Sequence, residues 1–489
     1  MFFHFQPNHS LRISAYQITR GFLGVSALSW LLVGALTAAE LTYDSDSNPA
    51  NGMTDGAGPG WNTTTTIKPW FNPADSSYSA WINANQDIAV FGGGSGAAGG
   101  VTVGTVTAGG IIFKTTGSGT YTLGSGTITL AGSTPTITTH IDARINSRLV
   151  SSSLIKDGAG TLIISNANNS LGNITINAGK LDIYLTLASE DVVVNGSSNF
   201  ITHSGNVWNM RSLTYSTTAN SSFYAANNNS TFTIGEGGLT FNSTGTLSLN
   251  TDSATPITRV ILQGNVTVNQ NSGIYAGGTA VNTSTTQRVL DLDNGQRTVS
   301  VAVDKTFNIN VTIDNGGLTK TGNGKLTLGG LSSNTYTGTT TVSGGTLALA
   351  KTGGATAIAG DVVVNTGGIL DWDVAQQLAP TSSITLNGGA LKLDNQTQTI
   401  TNLTQTAGTV NSGGGSNSGF FTITGLLRVS GGSSINLNSA GVWNVYASDF
   451  TGFSGTAIAL NGNSTTQLNQ FIVGEGGIIL TGQTISLPK

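Results

Sequence analysis

The chain has no cysteine among its 489 residues. That excludes disulfide staples, thiolate nucleophiles and cysteine-ligated zinc. Charge is scarce too: 19 lysines and arginines and 23 aspartates and glutamates make only 9% of the sequence, with a net charge of −4. The basic residues never cluster beyond a pair, and a surface that tracks phosphates needs several positive contacts close together, so nucleic acid is not an expected partner. Helical periodicity is almost absent after residue 40, and no second apolar run long enough to span a bilayer follows the N-terminal one. Low charge and 68 glycines would fit a disordered chain if β-branched residues were few. They are not few. Thr, Val and Ile alternate with polar residues, as in Asn265-Val266-Thr267-Val268-Asn269 and Thr120–Leu123, between turns rich in Gly, Asn and Ser. This period-two pattern reads as short β-strands joined by tight turns.

The N-terminus is of a different kind. Arg12 and Arg20 precede an apolar run from Gly21 to Ala39 that ends Thr37-Ala38-Ala39 before Glu40. A basic region, an apolar core and a small-residue end describe a secretory signal, so residues 1–39 are expected to be a signal peptide cleaved after Ala39. The competing reading is an uncleaved anchor, because about 20 apolar residues can cross a bilayer.

Two stretches are copies of one another. In Leu154–Leu181, Lys156, Gly158, Gly160, Leu162 and Ile164 correspond to Lys320, Gly322, Gly324, Leu326 and Leu328 of Leu318–Leu347. After a two-residue insertion the match resumes, with Gly172, Gly179 and Leu181 answering Gly338, Gly345 and Leu347. The second copy holds Asn334, Tyr336, Gly338 and Thr340 as an N-x-Y-x-G-x-T core, where the first has Ser170 in place of Tyr336. Weaker echoes occur elsewhere. Phe232–Leu239 and Phe471–Ile478 share a Gly-Glu-Gly-Gly turn, and Val362–Leu370, Ile384–Leu391 and Leu403–Val410 end alternating strands in glycine. Recurrence of a whole supersecondary unit implies a stacked, quasi-one-dimensional fold.

The pattern L-x-K-x-G-x-G-x-L-x-L, an Asn-rich turn and a Thr-rich strand ending in G-x-L resembles the autotransporter-associated β-strand repeat, also called the passenger-associated transport repeat. The segment Trp61–Phe91, with Trp61, Trp70, Phe71, Trp81, Asp87 and Phe91, is similar to the aromatic leader that precedes such repeats. The resemblance implies an all-β, right-handed parallel β-helix (a β-solenoid) carried on a bacterial surface, usually as an autotransporter passenger. Neither a membrane barrel nor a sorting signal is recognisable after Gly477, so self-export is not implied. The expected organisation is a signal peptide at 1–39, an aromatic-rich N-terminal cap at 40–91 and the β-helix at 92–489. In this arrangement Ser412–Gly419 is a loop rather than a linker, and the tryptophans pack as a cap rather than serving as a sugar platform.

Candidate chemistry is thin. Gly94–Gly99 spells G-x-G-x-x-G, but β-type sequence follows and no acid stands near position 119, so dinucleotide binding is not expected. Asp44, Asp46, Asn48 and Asp55 have calcium-loop spacing, yet Pro49 occupies the position that needs Gly, which favours an Asx-rich turn. Asp291 and Asp293 share a strand face by spacing, flanked by Arg288 and Arg297, and Asp371 and Asp373 form a second pair. These could act as acid and base on a polysaccharide, or simply be neutralised on a solvated face. His140 and His203 are too isolated for a triad or zinc site. No catalytic, cofactor-binding or metal residue is therefore expected. The chain is read as an exported, surface-displayed structural or adhesive protein, meeting extracellular polysaccharide or a host or neighbouring cell surface. The alternative is a carbohydrate-active β-helix enzyme.

Overall fold

A computed structural model describes residues 38–479, apart from 185–186, 197, 204–206, 227–229, 252–257, 278–287, 412–419, 432–433, 439–441, 452–457 and 462–469. The expected signal peptide lies almost wholly outside the described residues, as does the low-complexity segment at 412–419. Among the described residues no helix is long and apolar enough to cross a membrane.

The chain winds into a parallel β-solenoid. All described strands but the pair Thr54–Asp55 and Ser95–Gly96 join one continuous ladder. The winding follows from the two-residue period. Inward positions stack coil upon coil, as in Leu154, Ile174, Val192, Leu213, Leu239 and Val266. Their outward neighbours Thr175, Thr214, Thr240 and Thr267 form a parallel column in solvent. The inward residues are buried in one unbroken apolar core. Burying each such side chain contributes roughly 1.5–3 kcal/mol. Some aromatic residues stack from coil to coil, with Phe223 and Phe232 at 4.0 Å between ring centroids and Tyr215 and Phe241 at 5.1 Å. Beyond the N-terminal cap, coil length varies from the 18 residues between the partners Ile176 and Val194 to the 35 between Ile274 and Ile309.

At the N-terminal end, Glu40–Tyr43 pairs in parallel with Ile88–Phe91 and antiparallel with Trp70–Asn72, which hairpins onto Ser77–Ser79. Trp61, Trp70 and Trp81 lie beneath, fully buried, with ring centroids 4.7–5.5 Å apart. They fill the open end of the first coil, so their burial leaves no ring face for a sugar.

The repeats show what their invariant-looking positions do. Lys156 and Lys320 point inward, in columns between Ile137 and Ile176 and between Val299 and Val342. Both are fully buried. Each ammonium donates to three carbonyls: Lys156 to Asp157, Gly158 and Ala178 at 2.8–3.0 Å, Lys320 to Thr321, Gly322 and Gly344 at 2.7–3.0 Å. The lysine thus ties its own turn to the next coil and satisfies acceptors that would otherwise be buried without a donor. Gly322 has a φ of 72° for that turn. At Gly324 a Cβ would lie 2.2 Å from the Ala302 carbonyl oxygen of the preceding coil. Gly158 and Gly160 make the matching approaches in the first copy, to Thr139 and Ile141 oxygens at 2.4 Å.

Asn334 completes the second copy. Its Oδ1 accepts from Ile313 N at 2.9 Å and its Nδ2 donates to Ala357 O at 2.8 Å, bridging the coils before and after. In the first copy Asn169 accepts from Leu149 N at 2.8 Å, while Asn168 and Ser170 are exposed. Buried Gln377 and Gln398 each bond both the N–H and the carbonyl of a residue one coil back, Lys351 and Leu378. At these corners side-chain amides supplement the ladder.

Three contrasts test this account. Gly324→Ala is expected to lower unfolding stability in urea by about 2–3 kcal/mol through overpacking. Gly367 has a φ of 83° and open space around it, so Gly367→Ala should cost only about 1 kcal/mol of backbone strain. Lys351 is also buried, but its ammonium has Val311 O, at 3.1 Å, as its acceptor. Lys320→Met strands three carbonyls and should cost about 2–4 kcal/mol, whereas Lys351→Met should stay within about 1 kcal/mol. Burial pulls Lys320 down to about 8 and Lys351 to about 7. The unfolded chain then binds more protons than the folded one between those values and about 10.5, so stability should rise with pH across that window. Lys351→Met should flatten the lower end of the rise.

Candidate functional site

The charged residues expected to carry chemistry are held by the coils above and below them. Strand Arg288–Asp291 ends at Asp291, and Asp293 sits in the following turn with a φ of 51°. The two do not share a strand face. Asp291 instead accepts from the backbone N of Asp293 at 2.9 Å, forming an Asx turn. Its charge is met by Arg259 from the preceding coil, which also lies 3.5 Å from Asp314 on the next. Asn315 donates to Asp291 at 2.9 Å. Arg288 is buried and its Nε donates to the carbonyls of Leu249 and Gly277. Arg297 donates to Leu292 O at 3.0 Å and stands 4.0 Å from Asp293. The flanking arginines therefore serve the backbone, and the partner that matters for Asp291, Arg259, is 32 residues away in sequence.

The second pair is closer to a reactive arrangement. Asp371 is buried at the end of strand Gly368–Trp372, in the outward column between Ala348 and Lys392. Lys392 lies 3.5 Å from Asp371 Oδ1 and 3.0 Å from Asp394, and Lys325 lies 3.5 Å from Asp373. Desolvation raises the Asp371 carboxyl above the ordinary carboxylate value, opposed by Lys392 and reinforced by Asp394 and Asp373. Its Oδ1 has the lysine nearby but makes no hydrogen bond. Every carboxylate here thus has a lysine at ion-pair distance.

The remaining motifs are structural. Asp46 accepts from Asn48 N and Asn51 Nδ2, an Asx turn as expected. Asp44 accepts from Thr54 N and from Tyr78 OH at 2.7 Å. Asp55 is buried rather than solvated, and accepts from Tyr121 OH at 3.1 Å, fastening the 44–60 loop to the solenoid. Among the described residues no group of three or more His, Asp or Glu is placed to hold a metal ion. Ser95–Gly96 of the glycine-rich stretch pairs with Thr54–Asp55, and a Cβ at Gly94 or Gly99 would meet that same loop's backbone at 2.6 Å. A strand, Gly100–Thr102, follows instead of a helix. His140 is exposed after strand Thr136–Thr139, and His203 ends a strand on a later coil.

The structure also reveals a longer internal repeat than the Gly-Glu-Gly-Gly turns alone suggest. Trp208-Asn209-Met210 stacks on Phe232-Thr233-Ile234 in the same register as Trp443-Asn444-Val445 on Phe471-Ile472-Val473. In both, the register shifts before pairing resumes, at Ser212 with Gly238 and at Ala447 with Gly477. One residue, Arg211 or Tyr446, therefore faces a three-residue bulge, Gly235-Glu236-Gly237 or Gly474-Glu475-Gly476. The shared Trp-Asn dipeptide was the sequence cue, visible only once the preceding strand is read with the turn.

The passenger-associated-transport-repeat family matches residues 154–183 and 318–349. The chain carries two passenger-associated transport repeats, within a β-solenoid. The adhesin BmaC autotransporter of Brucella suis biovar 1 (strain 1330) is 34% identical over 165 residues, 33% of this chain. The match spans 5% of that relative's length. No solved structure matches the chain.

Asp371 offers a discriminating test. Because its folded value is raised, the folded chain binds more protons than the unfolded one above the ordinary carboxylate value of 3.8. Stability from this residue is therefore intact at lower pH and declines as pH rises through that window. Asp371→Asn should raise the melting temperature at pH 7 and leave it unchanged near pH 3. Loss of a measurable turnover instead of a gain in stability would assign Asp371 a chemical role.

Proposed function

We propose that this chain is a surface-displayed adhesive rod of the passenger type, whose solenoid presents turns and outward columns to a cell surface or extracellular polysaccharide. One observation carries the reading: two passenger-associated transport repeats are built into the ladder of a continuous parallel solenoid. A relative named as an autotransporter adhesin supports it. The physical logic is extension with little sequence specification. Each coil supplies its own core and hydrogen bonds, leaving its turns free to vary and meet ligands.

The outward face suits adhesion more than catalysis. Its columns are largely Thr, Ser and Asn, joined coil to coil by contacts such as Asn195 to Asn177 at 3.1 Å and Asn269 to Asn242 at 2.8 Å. The acid pairs that would serve a hydrolase or lyase are each engaged by a cation from another coil. Export to the bacterial surface belongs to the same proposal.

The test is retention and turnover together. Purified chain is exposed to a panel of immobilised polysaccharides and to whole cells, with and without calcium, while soluble product is recorded. Retention without product release, at equal strength in both calcium conditions, is the expected result. Product release that disappears in an Asp291→Asn, Asp293→Asn or Asp371→Asn variant would overturn the proposal in favour of an enzyme.

A further inference from the structure

The two bulged repeats share a scaffold and differ in what they display. In the first, Arg211, which faces the bulge, is held by Glu190 at 3.5 Å and by Asp191, both on the coil before. In the second, Tyr446 stands where Arg211 stands, and Thr424 and Gly425 pass it across a register shift where Glu190 alone passes Arg211. Thr233 on the following coil is replaced by Ile472. An ion-paired surface, with the Arg211 side chain 55% and Glu190 64% exposed, has become one of tyrosine, threonine and isoleucine. The bulge does not require this, since the first copy passes its own bulge with polar residues.

The substituted side chains are exposed. Tyr446 is 52% and Ile472 46% accessible, on outward positions beside the buried Trp443 and Val445 and the partly buried Phe471. Together with Thr422, Thr424 and Asn444 they line an open groove of about 350 Å³ floored by Gly474. That volume lies at the lower end of the roughly 300–1,000 Å³ typical of small-ligand sites. The bulge packs closely on this strand: a Cβ at Gly476 would lie 2.5 Å from Ala447 Cβ and 3.1 Å from Tyr446 Cδ1, while one at Gly474 would make ordinary contact with Tyr446 Cα at 3.4 Å. The bulge lies on the strand facing the tyrosine, and bulges recur beside ligand sites. The side chains of Asn444 and Thr422 have no hydrogen-bond partner among the described residues, leaving an amide and a hydroxyl for a ligand, whereas Thr424 bonds to Ile400 O at 3.2 Å.

We infer that this groove binds an uncharged saccharide, stacked on the Tyr446 ring and hydrogen-bonded by Asn444 and Thr422. A pyranose offers an apolar C–H face to an aromatic ring and a rim of hydroxyls to amide and hydroxyl groups, which is the chemistry the groove presents. No charged side chain lines it. The acid that borders it, Glu475 on the exposed bulge, repels uronates and sialylated chains, which selects neutral sugars over acidic ones. The inference rests on the adhesive reading and locates one of its contact points.

The test uses the full chain. Binding is measured calorimetrically against neutral hexasaccharides of glucose, mannose, galactose and N-acetylglucosamine, with oligogalacturonate as the acidic probe. Retention on whole cells is recorded in parallel. Expected is binding to at least one neutral probe and none to the acidic one. Tyr446→Ala and Ile472→Thr should each weaken it by about tenfold or more, as loss of a central contact does. Tyr446→Phe, which keeps the ring, should stay within roughly threefold, since it removes only a hydroxyl. Arg211→Ala, at the equivalent position of the first copy, should leave binding unchanged, and unaltered melting temperatures show that the variants fold. Neutral-sugar binding that survives Tyr446→Ala overturns the groove, as does retention on cells without any neutral-sugar binding; the adhesive reading stands in both. Absence of retention on every surface removes the adhesive reading and the groove with it.

Discussion

The structure depends on backbone lying directly on backbone. In a parallel ladder neighbouring strands sit about 4.8 Å apart, and at the corners, where strands give way to turns, that spacing must still be kept. A side chain at a corner then competes for space with a carbonyl of the coil below. The repeat glycines follow from this: at Gly160, Gly172, Gly324 and Gly338 a Cβ would stand 2.1–2.4 Å from such an oxygen. Crowded carbonyls also need donors. Where the ladder supplies none, the chain uses buried side chains, the ammonium of Lys156 or Lys320 and the amides of Asn334, Gln377 and Gln398. Sparse charge fits the same design, because a buried charge is costly unless it is hydrogen-bonded or paired.

Much of this was legible in the chain itself. Alternation over short segments specified strands, recurrence of a whole unit specified stacking, and the resemblance of the repeats specified a parallel solenoid. The tryptophan-rich leader was correctly read as end packing, because large aromatic residues beside Gly and Pro turns have more volume than a surface can accommodate. What sequence could not give was direction and partnership. Lys156 and Lys320 look like ordinary surface lysines, since L-x-K places them in phase with an apolar column only if the strand is known to bury that face. Asp291 looked like half of an acid pair because i and i+2 share a face within a strand. The strand ends at Asp291, so the rule fails at the residue where it was applied.

The partners of the charged residues were hidden for a related reason. In a solenoid a residue's neighbours lie one coil away, and coil length here is not constant. Arg259 reaches Asp291 across 32 positions and Lys325 reaches Asp373 across 48. No fixed spacing in the sequence marks such pairs. The Trp-Asn dipeptides of the bulged repeats were overlooked on the same account. Each lies a full coil before its Gly-Glu-Gly-Gly turn, and the two halves become one unit only in the folded register.

The regularity that makes the rod also limits what it can display. A straight ladder presents short Thr, Ser and Asn side chains that bond to their neighbours above and below, leaving few groups free for a ligand. Departures from the ladder release side chains from that obligation. At the bulge facing Tyr446, three residues of one coil pass a single residue of the coil before, and the tyrosine is left about half exposed. The equivalent bulge at Arg211 shows that the backbone feature is compatible with an ion-paired surface. Arg211 and Tyr446 are about equally exposed, so the fold sets the exposure and the side chains set the chemistry displayed. Replacing an ion pair by an open aromatic and an isoleucine does nothing for the core, since both positions face solvent. Such a change yields stabilisation only when something covers it, and the uncharged, groove-lining chemistry around the ring indicates what that is.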